Sequence, residues 1–302
     1  MIKVSIIIAN NLANWSFPKQ GLGPGLELIV VNNGIIGPGN PSKARNDGAS
    51  QAKGKYLVFL DNDTQVKKGW LDQVVKFMDK QPKVGAGQLK LLRMGSNKFD
   101  SAGDLLTNNG FLVERAREAE DRGQFDKADK IFSGKGAAMI VRKNVFAKIG
   151  GFDETYVYYW EEPDLCWRIW QSGYEVRFLW MGQVYHSYGT KAKPIPKVPA
   201  AGQVYLACRN QLMTIIKNAF GWRRWRMLFW VSLSWLGLEI MFVIKGKWRQ
   251  AWAIERAWFW LLWHWPKQQL KGNDQWLEQV TIKRDWEWYI GKGLAFISGR
   301  GF

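Results

Sequence analysis

Two carboxylates one residue apart close an apolar run in this sequence, Tyr56-Leu57-Val58-Phe59-Leu60-Asp61-Asn62-Asp63. On an extended chain the side chains at i and i+2 point the same way, so Asp61 and Asp63 can face one divalent cation and the diphosphate it holds. Hard carboxylate oxygens suit Mn²⁺ or Mg²⁺. In a random loop the same pair would read as a solvated turn. Here it follows a hydrophobic strand and falls at the carboxyl edge, where open α/β sheets bind ligands.

A second constellation runs from Gly150-Gly151-Phe152-Asp153-Glu154 to Tyr158-Tyr159-Trp160-Glu161-Glu162-Pro163-Asp164-Leu165-Cys166-Trp167-Arg168. Glu161, Glu162 and Asp164 open a helix, beside aromatic residues that can stack on a sugar ring. The positive end of a helix dipole favours ionised carboxylates, which suits a group that must accept a proton. The plainer account is a helix cap, with Asp164 and Arg168 forming an i, i+4 pair. Taken singly each acid reads as structural; taken together they read as a site.

These acids can meet only if a sheet edge and a helix start converge. The first two-thirds of the chain alternate short β-branched runs with helical patterns, which predicts an α/β fold with a mostly parallel sheet and helices on both faces. Strands are expected at Val4–Ala9, Leu26–Val31, Tyr56–Leu60, Gly87–Leu92, Gly136–Val141 and Glu175–Trp180. Helices are expected at Lys43–Ala52, Gly69–Lys80, Lys143–Ile149 and Asp164–Ser172. The charged stretch Glu114–Lys130 reads as a solvated helix or mobile loop. Lys191–Pro199, with three prolines and three lysines, reads as a linker. The expected domains are therefore 1–190, a linker at 191–204, and a helical region at 205–302.

That last region is chemically distinct. From Ser187 onward there are 18 Lys and Arg against 6 Asp and Glu, a surplus of 12 out of the chain's +17. It also holds 13 of the 19 tryptophans. A basic, tryptophan-rich segment fits an anionic amphipathic partner, and a phospholipid surface meets that description better than nucleic acid, for which no binding signature is present. Met227–Ile244 is apolar, with Glu239 as its one charge, and its 18 residues reach about 27 Å as a helix, slightly short of a bilayer core of about 30 Å. In Trp248–Trp265, the residues Trp248, Ala251, Trp252, Trp258, Phe259, Leu262 and Trp265 share one side of a helical wheel, flanked by Arg249 and Arg256. The competing reading is a helical hairpin packed on the catalytic domain or on a second copy.

Composition excludes several classes. Cys166 and Cys208 form neither a disulfide framework nor a metal knuckle, and His186 and His264 are too few for a polyhistidine zinc site. The N-terminal apolar run is short and passes into polar residues without a cleavage signature, so it reads as a buried strand and the expected location is cytoplasmic.

The ordered pattern Val4-Ser5-Ile6-Ile7-Ile8, Val30-Val31-Asn32-Asn33-Gly34, Ala44-Arg45-Asn46, Ala52-Lys53-Gly54-Lys55-Tyr56, Asp61-Asn62-Asp63, Gly150–Glu154 and Glu161–Asp164 resembles the family 2 glycosyltransferases, and within them the bacterial rhamnosyltransferase-like branch. The resemblance implies a GT-A fold and single-displacement sugar transfer from a nucleoside diphosphate sugar, with inversion. It implies a lipid-linked or polysaccharide acceptor in cell-surface glycan synthesis, at the inner face of the cell membrane. It further implies that Asp63, Asp61 and His186 serve a Mn²⁺ or Mg²⁺ ion, that Asp61, Asn32 and Arg45 serve the nucleotide, and that Glu162 is the base, with Asp164 and Glu161 in reserve.

The chain departs from the family in two places. Asn32 stands where an acidic residue is common, and the connections Asn10–Gly25 and Asn33–Ser42 are short and rich in Gly and Pro, where a parallel crossover needs about a dozen residues. Either the nucleotide pocket is rebuilt or segments are missing, which would leave spatial breaks near Asn14–Gly25 and Gly34–Asn40. These departures motivate an alternative class, a catalytically silent sugar-nucleotide-binding or membrane-scaffolding protein. A basic nucleic-acid binder is a third possibility.

Overall fold

The computed structural model describes residues 2–10, 22–33, 39–187, 199–264 and 275–283. In chain order the strands are β1 Val4–Asn10, β2 Leu26–Asn32, β3 Tyr56–Asp61, β4 Thr64–Val66, β5 Val84–Arg93, β6 Phe99–Ser101, β7 Asp104–Thr107, β8 Leu112–Glu114, β9 Ala138–Arg142, β10 Glu175–His186 and β11 Thr281–Ile282. The helices are α1 Pro41–Gln51, α2 Asp72–Lys80, α3 Lys143–Lys148, α4 Glu161–Gln171, α5 Ala201–Asn218, α6 Gly221–Ile244 and α7 Trp248–Trp263. The chain forms two compact units. One comprises Met1–Leu105, Val113–Val157 and Glu161–Thr190; the other comprises Leu106–Leu112, Tyr158–Trp160 and Lys191–Phe302.

The first unit is built on a sheet of order β2-β1-β3-β9-β5-β10-β4, with β6 paired to β5. Ile6, Ile7 and Ile8 of β1 are fully buried, as are Tyr56 to Phe59 of β3, which is why both segments read as continuous apolar runs. β1 pairs in parallel with β2 and β3, while β5 pairs in parallel with β10. β9, however, runs antiparallel between β3 and β5, and β4 runs antiparallel to β10. The sheet is thus mixed, its parallel ladders joined through antiparallel β9 and edged by antiparallel β4. Between β5 and β9 the chain makes short strands and loops instead of a crossover helix, and a return without a crossover pairs antiparallel.

Several boundaries move for local reasons. α1 begins at Pro41, two residues earlier than expected, because Asn40 caps it by accepting from the Lys43 amide at 3.1 Å and proline suits the first helical position. α2 begins at Asp72 rather than Gly69, whose φ of +74° belongs to no right-handed helix. α4 starts at Glu161, with Pro163 inside its first turn. The Glu114–Lys130 stretch is neither helical nor loosely solvated. Lys90, 2% exposed, reaches Asp121 at 2.8 Å and also pairs with Asp126; Arg115 pairs with Asp129 and stacks on Phe125. Of the expected breaks, residues 14–21 and 34–38 lie outside the described residues, as do 191–198 of the expected linker.

In the second unit, α6 buries Met227, Val231, Trp235, Leu238 and Phe242, and α7 buries Ala251, Ala253, Ile254, Ala257 and Leu261. α5 carries a buried polar row, Arg209, Asn210, Gln211, Thr214 and Asn218. Asn210 donates to the carbonyls of Tyr158 and Tyr159 at 2.7 and 2.9 Å, and Gln211 donates to the Gly110 carbonyl at 2.9 Å. Tyr159 and Trp160 sit at φ 68° and 70°, an unfavourable region for bulky side chains. The hydrogen bonds from α5 hold that turn. The α7 stripe expected from the sequence is outward-facing at Trp248, Trp252, Phe259 and Leu262, while Ala251 turns inward. Trp265 lies outside the described residues.

One buried carboxyl stands out in the first unit. Asp104 is 5% exposed, accepts from Ser133 Oγ at 3.3 Å through Oδ2, and its Oδ1 has no hydrogen-bond partner among the described residues. Burial, opposed by Lys135, pushes it up to about 7. The unfolded chain loses this proton near pH 4 while the folded chain keeps it to about 7, so stability falls as pH rises through that window. Asp104→Asn is expected to remove that decline. Urea unfolding at pH 5 and pH 8 should show the variant gaining on wild type at the higher pH by on the order of 2 kcal/mol; an equal gain at both values would contradict it.

Candidate active site

The strand that ends in the two acids is aligned by its neighbour, with Asp61 of β3 opposite Ala9 of β1. The turn after it is fixed by side chains: Thr64 Oγ1 donates to the Asp61 carbonyl at 2.7 Å, and Asn62 Nδ2 donates to Asn10 Oδ1 at 2.9 Å. β4 then pairs with the end of β10, setting Thr64 opposite His186, and the Ser187 amide donates to the Asp63 carbonyl at 2.9 Å. This brings residues 123 positions apart to one point, where His186 Nε2 lies 3.0 Å from Asp63 Oδ1. Asp61, Asp63 and His186 each offer one ligand atom, all within 4.8 Å of one another.

The donor set fits a divalent cation of the Mn²⁺ or Mg²⁺ type, with two hard oxygens and one imidazole nitrogen. Behind the ring, Asp100 Oδ2 sits 2.8 Å from His186 Nδ1. Burial alone would lower the imidazole, but the hydrogen bonds to Asp100 and Asp63 outweigh it and push His186 up to about 10. A cation at this point would replace the contact between Nε2 and Asp63. With Nε2 ligating, Nδ1–H would still donate to Asp100, the support that metal-bound imidazoles generally have.

Arg45 connects this cluster to the helix. Its guanidinium, 6% exposed, has Nη2 3.3 Å from Asp61 Oδ1, and Nη1 3.3 Å from Glu162 Oε1 and 3.5 Å from Glu161 Oε1. Glu162 Oε1 also accepts from the Gly136 amide at 2.8 Å. A Cβ at position 136 would crowd Arg45 Nη2 and Glu162 Oε1, so a larger residue there would displace the ends of both side chains. Asn46, next to Arg45, exchanges hydrogen bonds with Phe152 and reaches Glu154, tying the Gly150–Glu154 turn to α1.

The three helix acids are therefore not equivalent. Glu161 is buried, and its Oε2 has no hydrogen-bond partner among the described residues; burial and the neighbouring Glu162 carboxylate raise its affinity for a proton. Glu162 is the most exposed of the three. Asp164 is fully buried, accepting from Arg168 Nε at 2.9 Å and Nη2 at 2.7 Å, while Arg168 Nη1 donates to the Ile149 and Gly151 carbonyls. With no exposed surface Asp164 cannot meet an acceptor hydroxyl, so it is removed from the candidate bases and holds the Gly150-Gly151 turn instead. Asn32 ends β2, exposed and opposite Asn10. Asp100 and Gly136 were missed from the sequence. Neither carries a spacing signal, since their partners are 86 and 26 residues away.

This sheet, with its acids at the carboxyl edge, is the GT-A fold of glycosyltransferases. GalNAc-T7 with UDP, GalNAc and Mn²⁺ superposes with a TM-score of 0.52 at 12% identity, over 88% of this chain and 58% of that one. Staphylococcus aureus TarS 1–349 in complex with UDP-GlcNAc superposes with a TM-score of 0.51 at 13% identity, over 85% of this chain and 80% of that one. In sequence, residues 35–150 match the model of glycosyl transferase family 2. The pre-mycofactocin glycosyltransferase of Mycobacterium tuberculosis is 27% identical over 158 residues, 51% of this chain and 31% of that protein. The O-antigen biosynthesis protein RfbC of Myxococcus xanthus is 29% identical over 204 residues, 64% of this chain and 16% of that protein. The chain thus spans less than a third of the length of these curated relatives.

Two measurements separate the roles assigned by geometry. Asp164→Ala leaves Arg168 buried without its partner and is expected to cost about 3–5 kcal/mol in urea unfolding, against less than about 1 kcal/mol for Glu162→Gln; the opposite order would reverse the assignment. Asp100→Asn is expected to weaken Mn²⁺ binding about 10–100-fold by titration calorimetry, since it loosens the imidazole without removing a ligand. Unchanged affinity would mean that His186 does not ligate.

Proposed function

We propose that the chain is an inverting glycosyltransferase that moves a hexosyl or deoxyhexosyl unit from a nucleoside diphosphate sugar to a lipid-linked or polysaccharide acceptor. The observation that carries this reading is the position of Arg45, within 3.5 Å of Asp61, Glu161 and Glu162. One guanidinium joins the acids at the sheet edge to those at the helix start, so cation, pyrophosphate and sugar share one pocket. The family 2 match over residues 35–150 supports the class, and the order of motifs favours the rhamnosyltransferase-like branch.

In this reading Asp63, Asp61 and His186 hold a Mn²⁺ or Mg²⁺ ion, which when bound offsets negative charge on the departing diphosphate. Glu162 accepts the proton of the acceptor hydroxyl as that oxygen attacks the anomeric carbon from the face opposite the leaving group, so the configuration inverts in one displacement. Arg45 and the Gly136 amide fix Glu162 Oε1, which leaves Oε2 for the acceptor. Glu161 stands beside it, its affinity for a proton raised by burial and by the Glu162 carboxylate. Asn32, Arg45 and Asp61 border the nucleotide.

Residues 1–190 are read as the catalytic domain, 191–204 as the linker and 205–302 as the membrane-associated region. The exposed tryptophans and cations of the last region favour work at the inner face of the cell membrane over binding to nucleic acid.

Nucleoside diphosphate release with Mn²⁺, across a panel of donors and acceptors, tests the proposal. Asp63→Ala and Glu162→Gln are each expected to lower turnover at least about 100-fold, the scale on which acid–base residues contribute. Equal turnover in wild type and Asp63→Ala would sink the enzyme, and nucleotide-sugar binding without turnover in wild type would favour the silent binding protein.

A further inference from the structure

Among the described residues, α6 is the helix whose length and composition suffice to cross a membrane. Its 24 residues reach about 36 Å, against a hydrocarbon core of about 30 Å. Its packing argues against a span. The buried face of α6 is fastened at mid-helix to α5, where Trp235 Nε1 donates to Gln211 Oε1 at 3.0 Å. α5 buries Arg209, Asn210 and Gln211 there, and a spanning α6 would carry this polar row into hydrocarbon. α7, packed on both, has 16 residues, about 24 Å, and carries Arg249, Glu255 and Arg256, so it cannot cross alongside.

The outer face has the opposite character. Trp225, Phe229, Leu233, Leu236 and Ile240 follow one another at helical spacing and are 42–61% exposed. Between α6 and α7 runs an open groove of about 960 Å³, lined by Trp222, Phe229, Leu236 and Trp258. Glu239 and Glu255 also face it. Burial and the Glu255 carboxyl beside it push Glu239 up to about 7. Cations stand at both ends of α6, Arg223 and Arg226 at the start, Lys245, Lys247 and Arg249 past the end. A spanning helix concentrates its cations on one side of the bilayer, whereas a helix lying in the interface meets headgroups at both ends.

We propose that α6 and α7 form a monotopic docking face that lies in the plane of an anionic phospholipid leaflet, with the Trp225–Ile240 stripe inserted and the two cation groups on the headgroups. This rests on the membrane part of the reading above and goes beyond it by fixing the mode of attachment. It is independent of the transferase chemistry.

The test uses the full chain. Co-sedimentation is expected with vesicles of phosphatidylglycerol and phosphatidylethanolamine, and at least about tenfold less with phosphatidylcholine. Lys245→Ala is expected to lower binding about fivefold, the effect of one surface cation. The triple variant Phe229→Ser, Leu233→Ser, Ile240→Ser, all at exposed positions, should abolish it. Cys166 and Cys208 are buried, so cysteines introduced as Arg223→Cys and Lys247→Cys can be labelled selectively. In sealed vesicles from expressing cells, both ends of α6 are expected to react with an impermeant maleimide from the same side. Reaction from opposite sides would show a span, and a chain that stays in the supernatant with anionic vesicles has no such face; either overturns the proposal. So does a lipid-free dimer that the triple variant dissociates. Donor turnover measured without lipid on the same samples keeps the outcome separate from that of the enzyme assignment.

Discussion

A buried guanidinium has to be neutralised, and in this protein that requirement organises the site. Arg45 projects from α1 into the space above the sheet, and three carboxylates from two other elements lie within 3.5 Å of it. At an effective dielectric of about 20, each unit pair near 4 Å is worth roughly 4 kcal/mol before desolvation, so removing either side would leave the other stranded. The same arrangement carries excess negative charge, with Asp61, Asp63, Glu161 and Glu162 set against Arg45 and His186. A pocket built this way favours a divalent cation and disfavours ionising every acid at once, and the raised proton affinity of Glu161 is the local expression of that limit.

Around this centre, ion pairs do work that helices do in simpler α/β sheets. The segment between β5 and β9 has no helix, yet Lys90 binds Asp121 and Asp126, Lys135 binds Glu114, and Arg115 binds Asp129. Lys90 is buried against Phe99, so its pairs are screened less than surface bridges. Asp104 and Asp100 belong to the same excursion. The first is left a proton donor in the interior, while the second braces the imidazole of the metal cluster.

What the sequence made legible follows from how local each signal is. The apolar runs of β1 and β3, the acids at 61 and 63, and the acid cluster at the start of α4 are all written within a few residues, and each stands where its pattern predicted it. Strand direction is not local. Nothing in Ala138–Arg142 distinguishes an antiparallel neighbour of β3 from a parallel one, because the same alternation serves both. The charged Glu114–Lys130 stretch misled for a related reason: its partners Lys90 and Glu175 lie outside the window in which a run of charges is judged. Gly136 became meaningful only when a carboxylate and a guanidinium were found against its backbone.

The interleaving of the two units bears on how the protein is made. Leu106–Leu112 and Tyr158–Trp160 leave the ribosome well before α5, yet the carbonyls of Gly110, Tyr158 and Tyr159 find their donors on Gln211 and Asn210. Until those amides are synthesised, the carbonyls of Gly110, Tyr158 and Tyr159 lack the donors that hold them in the folded protein. Chains that fold while growing usually complete early modules first. Here maturation of the turn that leads into Glu161 and Glu162 has to await the arrival of later helices, so translation order and assembly order differ.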